Sequence, residues 1–358
     1  MVPDGQSPAP AQAIPSATWF DMVRQDAMWS NNGEEQRGDV LFVVHGYNMD
    51  AAEVMDRHRR LRGDLEHWGF KGVLVSFDWP SGNKALAYLP DRCNAKQSAF
   101  RLVSDGIAYL SAQQVPDCAL NVHVLGHSTG ALVIREAFDD ADDNHFKNMS
   151  WLVSQVVFAA GDVSAASMSQ NSGSAASVYR HCVQLTNYFN HHDMALDLSN
   201  VKRVGLAPRV GREGLPADAP QTAADVDCTA YYQQLTEPNS PIAGADQPHT
   251  PPFVGEQSHS WFFGNRIFAR DFVLRADRTR LPRDPHAAGG GWEMGAAACL
   301  TKTTAPRGAV GLVFAPGGLG AQGWLLAVQN LGFQPFQVLL VGGNDDGGQT
   351  LGLAGVFK

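Results

Sequence analysis

Asn121-Val-His-Val-Leu-Gly-His-Ser-Thr-Gly-Ala-Leu-Val-Ile-Arg-Glu-Ala-Phe138 is the stretch whose reading decides the fold of this chain. Asn121 to Leu125 is mostly apolar and reads as a strand, and Ala131 to Phe138 reads as a helix. Between them, Gly126-His127-Ser128-Thr129-Gly130 pins a serine between two glycines. That arrangement presents a strained nucleophile at the edge of a sheet. With 36 glycines in 358 residues, a short pattern of this kind also arises by chance, so the flanking segments must carry the inference.

Working outward, strand-like and helix-like segments alternate from residue 39 to residue 276. Val40 to Val44 is a short continuous apolar run, as expected of a strand buried on both faces. Asp50 and Glu53 have the spacing of a capping box, and Val54, Leu61, Leu65 and Trp68 fall on one face of the helix that follows. Gly72 to Phe77 predicts a second strand, and Phe100, Val103, Ile107 and Leu110 mark another helix by their three-and-four spacing. Trp151 to Ala160, Cys182 to Tyr188 and Ala224 to Cys228 supply three further strands. Trp261, Phe262, Ile267, Phe268, Phe272 and Val273 read as the buried stripe of one closing helix. Regular alternation of this kind predicts an α/β fold, a mostly parallel doubly wound sheet with helices on both faces.

The ends differ from the middle. Residues 1–18, rich in Pro, Ala, Gln and Ser, lack a basic start and a continuous apolar segment, and read as a flexible leader and not as a signal peptide. Residues 19–286 form the expected catalytic domain. From residue 287 the composition shifts: 17 of the 36 glycines lie in 287–358, and short strand-like runs alternate with Gly-rich turns. That segment is expected to be a small β appendage of unassigned role.

The formal charge of −9 argues against nucleic acid as a partner, since phosphate neutralisation needs a basic surface. No apolar run reaches membrane-spanning length. The five cysteines are odd in number, widely spaced and without a C-x-x-C pair, which fits neither a disulfide framework nor a zinc knuckle and points to a reducing cytoplasm. His191-His192-Asp193 invites a metal reading, but adjacent histidines on a strand point to opposite faces, so neither metal nor organic cofactor is expected.

An acyl-transfer site needs, besides the serine, a base, an acid to orient it and two backbone N–H groups for the oxyanion. In open parallel sheets these should follow strands at their carboxyl ends. His45-Gly-Tyr-Asn48 does so, and Gly46 lets the backbone turn so that the Tyr47 N–H faces the serine; the Thr129 N–H is the second expected donor. The acid has two candidates. Asp193 follows the fifth strand and Asp162 the fourth, and Asp193 is favoured because it yields the chain order Ser, Asp, His. Among His249, His259 and His286, which come after the acid, His259 stands at the start of an apolar helix that would hold it rigidly. Trp79, Tyr88, Phe189, Met194 and Trp261 are candidates for the substrate pocket, though aromatic and methionine side chains are more often core.

Several motifs in order now carry a resemblance: Val43-Val-His-Gly-Tyr-Asn48, Phe77-Asp-Trp-Pro-Ser81 with Tyr88-Leu-Pro-Asp91, Leu125-Gly-His-Ser-Thr-Gly130, Ala159-Ala-Gly-Asp-Val163, Asn190-His-His-Asp193 and Ser258-His-Ser260. Over residues 39 to 265 the chain resembles the serine α/β-hydrolases, and among them a bacterial family known mainly as a domain of unknown function. The resemblance implies Ser128 as nucleophile, Asp193 as acid and His259 as base. Relatives often carry alanine and methionine where this chain has Gly126 and Thr129, and both changes suit a tight turn. The expected function is a serine hydrolase of carboxylic esters acting on a small-molecule ester or acyl substrate. A thioesterase, amidase or acyltransferase would use the same residues, and a non-catalytic binding protein on the same scaffold is the remaining alternative.

Overall fold

The central strands are mostly apolar and bury both their faces, and this sets the layering. The computed structural model describes residues 13–29, 37–79, 81, 98–111, 119–143, 151–197, 207–240, 256–279, 323–329, 340–342 and 352–354. Six strands run parallel: β3 (Arg37–Val44), β4 (Val73–Asp78), β5 (Ala119–His127), β6 (Val153–Ala159), β7 (Cys182–Phe189) and β8 (Ala223–Asp227), in the order β4-β3-β5-β6-β7-β8. Alternate residues of β3 go to opposite cores. Val40, Phe42 and Val44 join one cluster, and Leu41 and Val43 join the other.

Helices cover both faces. On one side lie α1 (Ser16–Ala27), through Trp19, Phe20 and Val23, the helical stretch 98–111, α3 (Thr129–Asp143) and α4 (Gly173–Arg180). On the other lie α2 (Ala51–His67), α5 (Thr229–Thr236), the short α6 (Glu256–Ser260) and α7 (Arg266–Arg278). Helix α2 begins with the expected capping box: the Glu53 N–H donates to Asp50 Oδ1 at 2.9 Å and the Asp50 N–H to Glu53 Oε2 at 2.9 Å. Val54, Leu61 and Leu65 are buried while Trp68 is exposed. Truncating Leu65 to alanine removes a wholly buried side chain, at a cost of about 2–5 kcal/mol.

Three expectations shift. The closing helix is broken at residues 261–264, where Gly264 adopts φ 94° and Asn265 caps a new helix by accepting the Phe268 N–H at 2.8 Å. His259 therefore sits in α6, and Ile267, read as core, is exposed on α7. Residues 13–18 of the expected leader are structured, as β1 (Ala13–Pro15) and the start of α1, because Trp19 and Phe20 anchor that helix in the core. The Gly-rich segment contributes β9 (Gly323–Gln329) and β10 (Leu340–Gly342), which extend the sheet antiparallel beyond β4, and β11 (Gly352–Ala354), which pairs with β1. Pairing with β9 satisfies backbone groups that a β4 edge would leave open. Strand β2 (Met28–Trp29) pairs antiparallel with the start of β3. The run Val310 to Phe314, also read as a strand, lies outside the described residues.

Candidate active site

Strand β5 ends at His127 and α3 begins at Thr129, which leaves Ser128 alone in the turn with φ 56°. A non-glycine residue in this left-handed region stores about 1–3 kcal/mol of strain and persists only where its surroundings hold it there. Here they do. The Ser128 N–H donates to the Ala159 carbonyl at 3.0 Å, and its own carbonyl accepts from the N–H of Asp162 at 2.9 Å and of Ala131 at 3.1 Å. Close packing sets the glycines, and on Gly126 a Cβ would lie 2.6 Å from the Ala131 backbone nitrogen. A Cβ on Gly130 would lie 2.1 Å from the Val44 carbonyl oxygen, and one on Gly46 would lie 2.9 Å from Ser128 Cβ. Gly126, the other glycine flanking the serine, lies at the penultimate position of β5. The Gly46-Tyr47 turn after β3 is thereby pressed against the serine. Thr129 opens a 15-residue helix, whose first N–H groups have no intrahelical acceptor.

Asp193 and His259 meet directly. His259 Nδ1 lies 2.7 Å from Asp193 Oδ2, and the carboxylate, which can only accept, assigns the proton to Nδ1. Asp193 is wholly buried, and its other oxygen accepts the Leu196 N–H at 2.9 Å. The two loops are tied together around this contact: Asn190 Nδ2 donates to the Ser258 carbonyl at 3.2 Å and the Met194 N–H to Ser258 Oγ at 3.1 Å. Asp162, the alternative acid, faces elsewhere: Arg209 Nε lies 3.3 Å from its Oδ1, with both side chains buried. Among the described residues no hydrogen bond joins Ser128 Oγ to His259. The connection runs through His127, whose Nε2 lies 2.9 Å from the His259 carbonyl oxygen.

The turn beside the serine has its own support. His45 Nδ1 donates to the Gly46 carbonyl at 2.8 Å, and His45 Nε2 lies 2.7 Å from Asp78 Oδ1 and 3.2 Å from Trp79 N. Burial pushes the Asp78 carboxyl up, against the opposing pull of its hydrogen bond to His45. Trp79 Nε1 donates to the His45 carbonyl at 2.8 Å, and the two rings stack. Trp79, a candidate for the pocket, is 1% exposed and packs beneath this turn. Trp261 is likewise core, stacked on Phe262. Phe189 is buried edge-on to His191, Met194 is exposed beside Asp193, and Tyr88 lies outside the described residues. His45, Asp78, His127, Asn190 and Ser258 were not singled out as functional side chains. The adjacency of His45 and His127 to the motif glycines was the available signal. Among the described residues no group of three His, Cys, Asp or Glu side chains is placed to hold a metal ion. Nor is any helix among them long and apolar enough to cross a membrane.

Comparison with known proteins adds one assignment. A family model described as an alpha/beta hydrolase of unknown function (DUF900) matches residues 24–222, a span that includes Ser128 and Asp193 and ends before His259. No curated protein matches the chain. Similar solved structures include a dienelactone hydrolase from Anabaena variabilis, 16% identical, covering 66% of this chain and 90% of that one, with a TM-score of 0.32. An acyl-protein thioesterase 2 from Zea mays is 14% identical, covering 56% and 88%, with a TM-score of 0.33. A monoacylglycerol lipase from Paleococcus ferrophilus is 15% identical, covering 56% and 88%, with a TM-score of 0.31. At these scores the likenesses carry no argument about activity.

Proposed function

Since the chain belongs to the α/β-hydrolase family of unknown function DUF900, we propose that it is a serine hydrolase cleaving carboxylic esters through Ser128, His259 and Asp193. The reading rests on one observation: a buried Asp193–His259 pair at 2.7 Å, tied through His127 to a serine held at φ 56°. Ser128 Oγ attacks the ester carbonyl while His259 Nε2 takes its proton, and Asp193 holds the imidazole in the tautomer that leaves Nε2 able to accept. The N–H groups of Tyr47 and Thr129 stabilise the oxyanion, and loss of one such donor costs about a hundred- to a thousandfold in turnover. The alcohol leaves with the proton from His259, and water, activated by the same base, resolves the acyl-enzyme. Proton-transfer contacts are often long without substrate, so the open Ser128–His259 contact is compatible with this sequence of steps.

A fluorophosphonate probe should label the wild-type protein and fail on Ser128→Ala. Labelling that survives the substitution would sink the assignment. A panel of esters with graded acyl length, run beside matched thioesters and amides, then identifies the preferred bond.

A further inference from the structure

The residue before the serine makes contacts that the proposed chemistry does not require. His127 is 2% exposed at the end of β5, and each ring nitrogen faces a different kind of partner. Nε2 meets the His259 carbonyl oxygen at 2.9 Å, and Nδ1 meets an Arg57 guanidinium nitrogen at 3.4 Å. A carbonyl can only accept and a guanidinium can only donate, so the partners dictate the tautomer: protonated at Nε2, bare at Nδ1. The ring is also clamped sideways, 4.7 Å from the His259 ring and edge-on to Phe263 at 5.1 Å, while Arg57 lies over that phenyl face at 5.2 Å.

We propose that His127 is a positioning residue, fixing the main chain of His259 relative to Ser128 through its Nε2–H and oriented in turn by Arg57. The inference rests on His259 being the base. Asp193 holds one edge of that imidazole but belongs to a different loop from the serine. His127 is covalently joined to Ser128, so a hydrogen bond from its ring to the His259 carbonyl sets the spacing of base and nucleophile with one side chain between them. Misplacement of a reacting group by about 1 Å costs about a hundredfold in rate. The ring must also stay neutral, because an imidazolium 4.7 Å from His259 would oppose protonation of the base. Its surroundings favour neutrality: burial, His259, Arg57 and His45 all hold His127 well below the ordinary histidine range, and the hydrogen bond to the His259 carbonyl opposes them. His58, which lines the same small cavity, is itself held down to about 3 and adds no charge.

The test compares the full-length wild type with His127→Leu and His127→Gln, the glutamine amide placing a donor near the position of Nε2. Fluorophosphonate labelling rate and kcat should fall about a hundredfold in His127→Leu with KM within about twofold, and His127→Gln should recover most of the loss. A folded leucine variant that labels at the wild-type rate, or a glutamine variant as slow as leucine, overturns the proposal. Nitrogen-15 shifts of His127 in the wild type decide independently of whether the variants fold. They should show a proton on Nε2 and none on Nδ1 between about pH 5 and 8. A proton on Nδ1, or titration within that window, overturns it as well. Failure of the wild type to label at all would instead strike the hydrolase reading, a result distinct from labelling that ignores position 127.

Discussion

Two of the buried histidine–aspartate contacts in this molecule, His259–Asp193 and His181–Asp142, share the same chemistry and differ in everything around it. His259 donates Nδ1–H to Asp193, and among the described residues its Nε2 makes no hydrogen bond. His181 uses both nitrogens: Nε2 meets Asp142 at 2.9 Å, Nδ1 meets the Trp151 carbonyl at 2.9 Å, and the ring stacks on Trp151 at 3.9 Å. Asp142 also accepts from Ser177 and Arg180. The second pair is saturated and joins α3, α4 and the loop before β6. The first keeps one nitrogen clear of its carboxylate, and its main chain is tied to the residue before a strained serine. A histidine–aspartate contact alone therefore says nothing about catalysis. Neither does a spare nitrogen, since His123 meets the buried Asp39 through Nε2 and leaves Nδ1 unpaired among the described residues of the core. What sets the His259 pair apart is its tie to the turn that carries Ser128.

The largest expected difference is in rate. His259→Ala should lower ester hydrolysis by about six orders of magnitude, and no further in combination with Ser128→Ala, because triad members act as a unit. His181→Ala should leave kcat near wild type; a comparable loss there would break the comparison. Next comes the acid. Asp193→Asn should cost about ten-thousandfold by favouring the wrong imidazole tautomer. Asp162→Asn should leave the pH–rate profile in place and appear as a lowered unfolding midpoint, because it removes the carboxylate charge 3.3 Å from the buried Arg209. A third contrast concerns stability: Asp142→Ala should destabilise by about 1–3 kcal/mol for each buried donor left unpaired, measured by urea unfolding, with catalysis retained.

The remaining effects are ones of pH. Burial pushes the Asp142 carboxyl up, but the hydrogen bonds from Ser177 and His181 and the charges of His181 and Arg180 outweigh it and hold the group below its ordinary value. A carboxyl depressed in the folded state contributes stability that is present above its unfolded pKa, about 3.9, and lost as pH falls through the folded value. The stability gap between wild type and Asp142→Asn should therefore be constant near neutrality and close below about pH 4. His58 acts over a wider window. Held down to about 3 by burial and then by Arg62 and Arg59, it stabilises above about pH 6.5, and that contribution drains away progressively toward pH 3. His58→Gln should flatten the acid limb of the unfolding curve.

The parts legible in the sequence were those with a local signature. A continuous apolar run marked β3, and mostly apolar runs marked β4 to β7, because strands buried on both faces need no strict polar alternation, and Asp50 with Glu53 announced the start of α2. The turn at Ser128 was readable because packing and backbone geometry confine glycine to its flanks. What escaped depends on tertiary approach. The break at Gly264-Asn265 was hidden because apolar residues continue on both sides of it, although glycine followed by asparagine is itself a breaker signal. Pairing of β9 with β4 spans some 250 residues and leaves no local trace. Trp79 and Trp261 read equally as pocket or core, and only their burial decides. The contact of His127 with His259 joins residues 132 positions apart, so nothing near either one announces it.

The break at Gly264 also bears on how freely this molecule can drift under mutation. With φ at 94°, that glycine ends the segment holding His259, and Asn265 starts α7 on an axis of its own. Side-chain changes along α7 can then shift that helix against α2 without levering His259 out of place, as they would on one unbroken helix. Substitutions on the outer surface of α7, where Ile267 and Leu274 stand exposed, should accordingly leave the position of His259 unchanged. Position 264, in contrast, tolerates little beyond glycine.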